Sequence, residues 1–517
     1  MSPFNFNGLF VLDLANNHQG DLEHATNIIR AMGEVAHENG VRAALKFQFR
    51  HLDTFIHGDH LEESSNKHVG RFLSTRLSNR QFAQLAEEVR DSGMTTMATP
   101  FDEESVDFAF DLDIDILKVA SCSATDWPLL ERIAEANKPV IFSTGGLTMK
   151  QIDSLVSFFD HRRVRFAIMH CVSIYPTPKE HLHLNQISAL KRRYPDKVIG
   201  FSTHEEPDET SPVQIATGLG AGMLERHVGI ETDTIKLNKY SSTPAQVDRW
   251  MKAAIEARQI CGSFERVPPQ PVETEALRSL MRGIYARRPI AKGEPLTRDD
   301  VYFAMPLNEG QLTSGQWTDG IVATTELAKD QALLGECVTR PKPDDTQVLT
   351  SAIHGMKAML NEAQISLPPT FETEFSHHFG MAEFQEVGAT LITFVNREYC
   401  KKLIIQLPGQ RHPAHYHKTK EETFVVLHGE LELVVEGRQY TLYPGDMQLV
   451  QQGVWHEFWT ETGVIFEEIS SKHGLCDSFY EDKSINSMDA DSRKTRVNQW
   501  GRYQIVPAKP TIRRMAA

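Results

Sequence analysis

Two sets of residues in this chain carry chemistry by type and spacing. The first is the run Gly409-Gln410-Arg411-His412-Pro413-Ala414-His415-Tyr416-His417, followed by Glu422, Gly429 and, later, Gly453-Val454-Trp455-His456. His415 and His417 are two apart, so on a strand they face the same way. With Glu422 and His456 they offer three imidazoles and one carboxylate, a donor set for Mn, Fe, Zn or Ni that leaves positions open for a substrate. Two alternatives stay open: Glu421 in place of Glu422 as the carboxylate, or a structural pocket without metal. His412 falls outside the spacing and reads as a pocket or surface residue.

The second set is scattered in the chain but falls at the ends of predicted strands: Lys46, Thr99, Lys118, Ser121, Ser143, Thr144, His170, Ser173, Tyr175, Ser202, His204, Glu225 and His227. Two lysines among several hydroxyls suit a small anion carrying carboxylate and phosphate. Histidines on adjacent strand ends, His204 and His227, suit a divalent metal with open positions. The ordinary alternative is a solvated rim lysine and a hydrogen-bonded structural histidine. Convergence on one rim separates the two readings.

The elements that must position these groups follow from periodicity. Short apolar runs near 9–14, 43–48, 94–98, 115–120, 139–143, 164–170, 197–202 and 222–227 alternate with amphipathic segments at 22–38, 79–92, 103–111, 127–136, 148–159 and 183–194. Eight strand–helix units within residues 1–265 predict an α/β (β/α)8 TIM barrel, with an open doubly wound sheet as the alternative. In such a barrel the active residues sit at the C-terminal ends of the strands, where the second set lies. Val267-Pro268-Pro269-Gln270-Pro271 reads as a linker, and residues 278–340 as a small unit with β-type runs. A helical connector near 351–363 leads into 365–480, whose short alternating strands and Gly/Pro turns predict an all-β barrel or sandwich. The polar tail 481–517 lacks periodicity and reads as loosely held.

Composition narrows the function classes. The 517 residues are 40% hydrophobic and 24% charged, as in ordinary globular proteins. A net charge of −15 disfavours nucleic acid and anionic membrane as partners. The six cysteines, Cys122, Cys171, Cys261, Cys337, Cys400 and Cys476, show no metal or redox spacing and read as free thiols of a cytoplasmic protein. The N-terminus lacks a signal-peptide pattern, and no apolar run is long enough to span a membrane.

The barrel region resembles the sialic acid synthases. The resemblance rests on Asn17-His18-Gln19-Gly20-Asp21, Lys46-Phe47-Gln48, Thr99-Pro100-Phe101-Asp102, Lys118-Val119-Ala120-Ser121, Ser143-Thr144-Gly145-Gly146, His170 to Pro176, Gly200-Phe201-Ser202-Thr203-His204 and Glu225-Arg226-His227. It extends into 278–340, which looks like the antifreeze-protein-like (SAF) domain of these enzymes. The resemblance implies condensation of phosphoenolpyruvate with an aldose to a 2-keto-3-deoxy sugar acid and phosphate. It implies that Lys46, Thr99, Lys118, Ser121, Ser143 and Ser202 hold phosphoenolpyruvate, with Ser173 and Tyr175 beside it. It places Mn or Mg on His204 and His227, gives Asp13, Lys46, Lys118, His204 and His227 catalytic roles, and predicts a homodimer in which the small domain caps the partner's barrel. Three departures concern the acceptor sugar: Asp13 stands where the family has Glu, Ile235 to Tyr240 replaces a Gly-Pro-Asp stretch, and Ala304-Met305-Pro306 replaces Lys-Arg-Pro. They point away from N-acetylmannosamine.

The C-terminal set resembles the paired motifs of the cupin family, although Gln451 stands where a proline is usual. The stretches Val395 to Cys400 and Phe466-Glu467-Glu468-Ile469 resemble, more narrowly, cupin sugar isomerases of the D-lyxose isomerase type. That resemblance implies proton transfer between C1 and C2 through an enediol, with Glu432, Glu467 or Glu468 as base. The functional expectation is a three-domain sugar acid synthase whose cupin isomerises or epimerises the sugar. The alternatives are a non-catalytic metal-dependent sugar-binding or regulatory protein, and a cupin isomerase with an inactive barrel.

Overall fold

Eight parallel strands alternate with helices and close on themselves: β1 (Leu9–Asp13), β2 (Arg42–Phe49), β3 (Thr95–Pro100), β4 (Ile116–Val119), β5 (Val140–Ser143), β6 (Phe166–Cys171), β7 (Ile199–Thr203) and β8 (Met223–His227). Phe10–Asp13 of β1 pair with Leu224–His227 of β8, so the (β/α)8 expectation holds and the open sheet is excluded. This computed structural model describes residues 4–497 apart from residues 63, 265, 475 and 476. The chain divides into two units, Met1–Pro268 and Pro269–Ala517.

Strand periodicity explains why the barrel mouth is polar. Successive side chains alternate between the helix-covered outside and the barrel interior. Phe10, Leu12, Leu45, Phe47, Phe142 and Leu224 join the outer core with the helices. Leu9, Val11, Ala44, Met97, Ile116, Ile141 and Met223 fill the interior as a separate cluster. Burying each aliphatic side chain contributes about 1.5–3 kcal/mol relative to exposure. Two residues further along each interior row the chain turns polar: Asp13 after Val11, Lys46 after Ala44, Thr99 after Met97, Lys118 after Ile116, Ser143 after Ile141 and Glu225 after Met223. The polar layer is thus the top of the barrel's own packing.

Two of the family-like motifs serve the fold. Asp21 caps the helix Leu22–Glu38 by accepting from the His24 amide, and Asp102 caps Glu103–Asp111 by accepting from Ser105. Asn17 Nδ2 donates to the Val228 carbonyl and the Ser241 hydroxyl, tying the β1 loop to the segment after β8.

In the second unit, Pro271 starts a helix, Pro271–Leu280, so the predicted linker ends there; proline is tolerated in a first turn, where its missing N–H has no partner to lose. A small β region follows, with β9 (Gly283–Ala286) antiparallel to β10 (Val301–Ala304) and β11 (Val322–Ala323) antiparallel to β12 (Val338–Thr339). It has its own core, which includes Ile284, Ile290, Leu296, Ile321 and Leu333.

The C-terminal region has twelve further strands: β13 (Glu372–His377), β14 (Gly388–Asn396), β15 (Tyr399–Gln406), β16 (Arg411–His417), β17 (Glu422–Gly429), β18 (Leu431–Val435), β19 (Arg438–Leu442), β20 (Met447–Val450), β21 (His456–Trp459), β22 (Val464–Ser471), β23 (Ser478–Tyr480) and β24 (Lys494–Val497). They form a seven-stranded sheet, β20-β17-β22-β15-β14-β13-β24, and a five-stranded sheet, β19-β18-β21-β16-β23. Phe424, Val426, Leu431, Leu433, Phe458 and Phe466 pack together as one core. Two expectations change here. The helix Asp345–Glu362 is no mere connector, because Val348, Leu349, Ile353 and Met356 share a core with Phe375, Phe384, Ile392 and Leu403. The tail from 481 is also not loose throughout: β24 pairs antiparallel with β13, and four residues are too few for periodicity to reveal. Residues 498–517, which complete that predicted tail, lie outside the described residues. Among the described residues no helix is long and apolar enough to cross a membrane. The five described cysteines are free, and Cys476 lies outside the described residues.

Candidate active site and metal centre

The barrel mouth opens into a cavity of about 1120 Å³. Asp13, Lys46, Thr99, Lys118, Ser121, Ser143, Ser173, Tyr175, Ser202, His204 and His227, all singled out from the sequence, line it. His170 and Thr144 are not among the lining residues: the His170 ring bonds the Leu182 carbonyl at 2.8 Å, and the Thr144 hydroxyl donates to the Met169 carbonyl at 3.2 Å.

At the centre lie two lysines and two carboxylates, all buried. Lys46 Nζ is 3.0 Å from Asp13 Oδ2 and 2.6 Å from Glu225 Oε1, while Lys118 Nζ pairs with the other oxygen of Glu225. Burial works against the Lys46 charge, yet Asp13 and Glu225 outweigh it and hold the ammonium above its usual range. For Lys118, burial and the nearby Lys46 prevail over Glu225, and its pKa is lowered. Burial also opposes the charge on Glu225, but Lys118 and Lys46 keep it ionised, well below the usual carboxylate range. Removing one member of such a group leaves a buried charge without its partner, at a cost of about 3–5 kcal/mol. Glu225 went unassigned in the sequence reading. The row Met223-Glu225-His227 of β8 was the signal that turns it inward.

The hydroxyls gather around this centre. Ser121 Oγ accepts from the Gly145 amide at 3.0 Å, and a Cβ at Gly145 would overlap the Ser173 and Ser121 hydroxyls. Glycine at this position is what lets the two hydroxyls and an amide approach one point. Thr99 lines the cavity, and its Oγ1 is buried without a hydrogen-bond partner.

His204 and His227 stand with ring centroids 5.4 Å apart. The Nδ1 of His204 bonds the Val172 carbonyl at 3.1 Å, which leaves its Nε2 lone pair free, and the Nδ1 of His227 lies 3.4 Å from Asp13 Oδ2. Burial, then His227, lowers the His204 pKa to about 3, which keeps it neutral as a ligand must be. The pair fits a divalent ion with open positions. The segment that departs from the family supplies Asn238 and Tyr240 to the cavity wall, Tyr240 with its ring 5.2 Å from both His227 and Tyr175. Outside the cavity, the buried Arg226 holds Glu205, the neighbour of His204, at 2.9 Å.

In the C-terminal region one ligand atom each from His415, His417, Glu422 and His456 lies within 4.8 Å of the others, and all four residues are buried. It is the one group of three or more such residues found among the described residues. Strands β16, β17 and β21 supply them, and His415 lies directly opposite His456. The Nδ1 atoms of the three histidines bond the carbonyls of Pro413 (3.0 Å), Asp477 (2.9 Å) and Val454 (3.1 Å). Each Nε2 is therefore a bare lone pair. His456 Nε2 faces Glu422 Oε2 at 3.2 Å, and neither atom has a hydrogen-bond partner. Acceptors gathered in this way call for a cation among them, so the donor set fits a divalent metal. Burial, then His456, His412 and His417, holds the His415 pKa well below its ordinary value.

The alternatives left open by spacing resolve geometrically. Glu421 is exposed, whereas Glu422 faces the histidines. His412 is buried and stacks on Phe458, 4.7 Å between centroids, so it is a core residue beside the quartet. Among the candidate bases, Glu432 bonds Gln439 and Thr441, and Glu467 pairs with Lys401. Glu468 alone of the three adjoins the quartet: Lys420 bridges it, at 3.0 Å, to Glu422. Lys420 was not anticipated. Its neighbours Lys418 and Glu421 are solvent-facing, and only the fold distinguishes it.

Comparison with known proteins agrees with both regions. The NeuB family model matches residues 32–266, and a cupin domain model matches residues 403–467. A Chromobacterium violaceum structure assigned to spore coat polysaccharide biosynthesis as protein E is 44% identical, with all of that chain and 64% of this one covered at a TM-score of 0.63. An uncharacterized protein of Methanocaldococcus jannaschii is 30% identical over 292 residues, 56% of this chain and 82% of that one. Human N-acetylneuraminate-9-phosphate synthase is 28% identical over 298 residues, 56% of this chain and 80% of that one. By these matches and by its barrel, the chain belongs to the NeuB family and carries a cupin domain towards its C-terminal end.

Proposed function

We propose that the barrel condenses phosphoenolpyruvate with an aldose, giving a 2-keto-3-deoxy sugar acid and inorganic phosphate. The observation that carries this reading is the convergence of Lys46, Lys118, His204 and His227 on one cavity. The lysine ammonium groups neutralise the carboxylate and phosphate, while Thr99, Ser121, Ser143 and Ser202 donate to their oxygens. Ser173, Tyr175 and Tyr240 wall the space above, where the aldehyde is held against C3 of the enol. C3 attacks the aldehyde carbon, water adds at C2, and phosphate leaves with the C2–O electrons. Asp13, beside Lys46 and His227, orients both groups. A divalent Mn or Mg ion on His204 and His227 would act as Lewis acid on the aldehyde oxygen.

For the cupin, the reading is isomerisation of a ketose to the aldose that the barrel uses. The metal quartet with Lys420 and Glu468 beside it supports this, since an enediol path needs a metal on the sugar oxygens and a base. Residues 278–340 are read as the antifreeze-like domain, and the enzyme is proposed to be a cytoplasmic homodimer with that domain capping the partner's barrel; sedimentation at a monomer mass would remove the dimer. The central test is phosphate release from phosphoenolpyruvate with Mn²⁺ across aldoses and matching ketoses. Release with an aldose is expected, and equal release with its ketose implicates the cupin. No release with any sugar would favour a binding or regulatory protein.

A further inference from the structure

We infer that the acceptor carries a second anionic group, a phosphate or a carboxylate, and that Arg50 receives it. The inference rests on the synthase reading and deepens it. Arg50 lines the cavity just past the end of β2, on the row that runs Ala44, Lys46, Gln48. Its guanidinium carbon lies 3.6 Å from the centroid of Phe101 and 4.0 Å from that of Phe72, so aromatic faces fix the plane of the fork. Both terminal nitrogens are 3.3 Å from Gln48 Oε1, while Nε is buried with no hydrogen-bond partner. No carboxylate pairs with it among the described residues. Lys67 and Arg71 of the helix Lys67–Ser74 line the same cavity, and neither forms an ion pair with a described residue.

The charge balance of the lining makes the point. The two lining carboxylates, Asp13 and Glu225, are already engaged by Lys46 and Lys118. Arg50, Lys67 and Arg71 form no ion pair with a described residue, in a chain whose net charge is −15. A fixed, partly desolvated guanidinium without a counter-charge is a preorganised receptor for a planar or tetrahedral oxyanion. Four residues of strand separate it from Lys46, about 13 Å of backbone. That spacing along the row suits the far end of a sugar whose aldehyde lies over the lysines.

The test compares a neutral aldose with its terminal phosphate and its uronate, in wild type, Arg50→Gln and Arg50→Lys. Wild type should favour one anionic sugar, and Arg50→Gln should lower the anionic-to-neutral ratio of kcat/KM by about 10–100-fold, the value of a charge-assisted bond. Arg50→Lys should restore part of that ratio, and which anionic sugar responds identifies the group. Calorimetric binding of the same two anionic sugars is measured in parallel and does not depend on turnover. If no sugar supports phosphate release but anionic sugar binding is lost in Arg50→Gln, the synthase reading fails and this inference stands. An unchanged ratio, a wild-type preference for the neutral sugar, absence of binding by either anionic sugar, or a loss confined to phosphoenolpyruvate would overturn it.

Discussion

His204 in the barrel mouth and three histidines of the cupin wall are each tied down through Nδ1 by a backbone carbonyl, yet the two regions build different things. In the cupin, four ligand atoms lie within 4.8 Å inside a buried wall. In the barrel, two imidazoles share a cavity of about 1120 Å³ with lysines, carboxylates and hydroxyls. In the cupin the unsatisfied atoms beside the quartet, His456 Nε2 and Glu422 Oε2, are acceptors, a set that suits a cation. In the barrel, lysines and arginines line the cavity together with hydroxyls, a set that suits an anion.

This contrast can be broken by substitution. Lys118→Met should lower phosphate release about 10²–10³-fold, the range seen when one preorganised donor is lost, with the metal content of the cupin unchanged by elemental analysis. His417→Ala should do the reverse: about 100-fold or more weaker metal retention, with aldose-driven phosphate release intact. Loss of both properties in either variant would show that the sites are not independent. Glu422→Gln should likewise shed the metal, while Glu421→Gln should keep it; equal behaviour would remove the assignment of Glu422. Chelation sharpens the comparison thermally: a metal at 100 times its Kd stabilises by about 2.7 kcal/mol, so EDTA should lower the melting temperature of wild type more than that of His417→Ala. The smallest effect is expected from Gly145→Ala, where crowding of Ser121 and Ser173 should raise KM for phosphoenolpyruvate by about 10-fold, given a typical overpacking cost of 1–3 kcal/mol.

How much of this was legible without coordinates depended on the period of each element. The barrel strands carry long apolar rows, so both their existence and their polar ends could be read, and Lys46, Lys118, Ser143, Ser202 and His204 followed directly. Glu225 was read at the end of the same kind of row, but its role as partner of two lysines from other strands is not encoded locally. Arg50 was invisible because its meaning comes from the rings of Phe72 and Phe101, on separate segments of the chain, that hold its guanidinium. In the cupin, spacing delivered the histidines, but two adjacent acids at 421 and 422 could be told apart only by which side of the strand faces inward. Lys420 and Glu468 meet across strands, a relation that no local pattern encodes.

The pairing of β24 with β13 bears on how the chain is made. Each barrel strand pairs with the next one in sequence, and the ring needs only residues up to His227 to close against β1. The cupin sheet instead waits for Lys494–Val497, the last of the described strands, before the flank of β13 is covered. Until then the flank of β13 is an unpaired strand edge, the kind of surface that recruits other chains. Products ending before residue 494 would lack β24 and leave that flank uncovered.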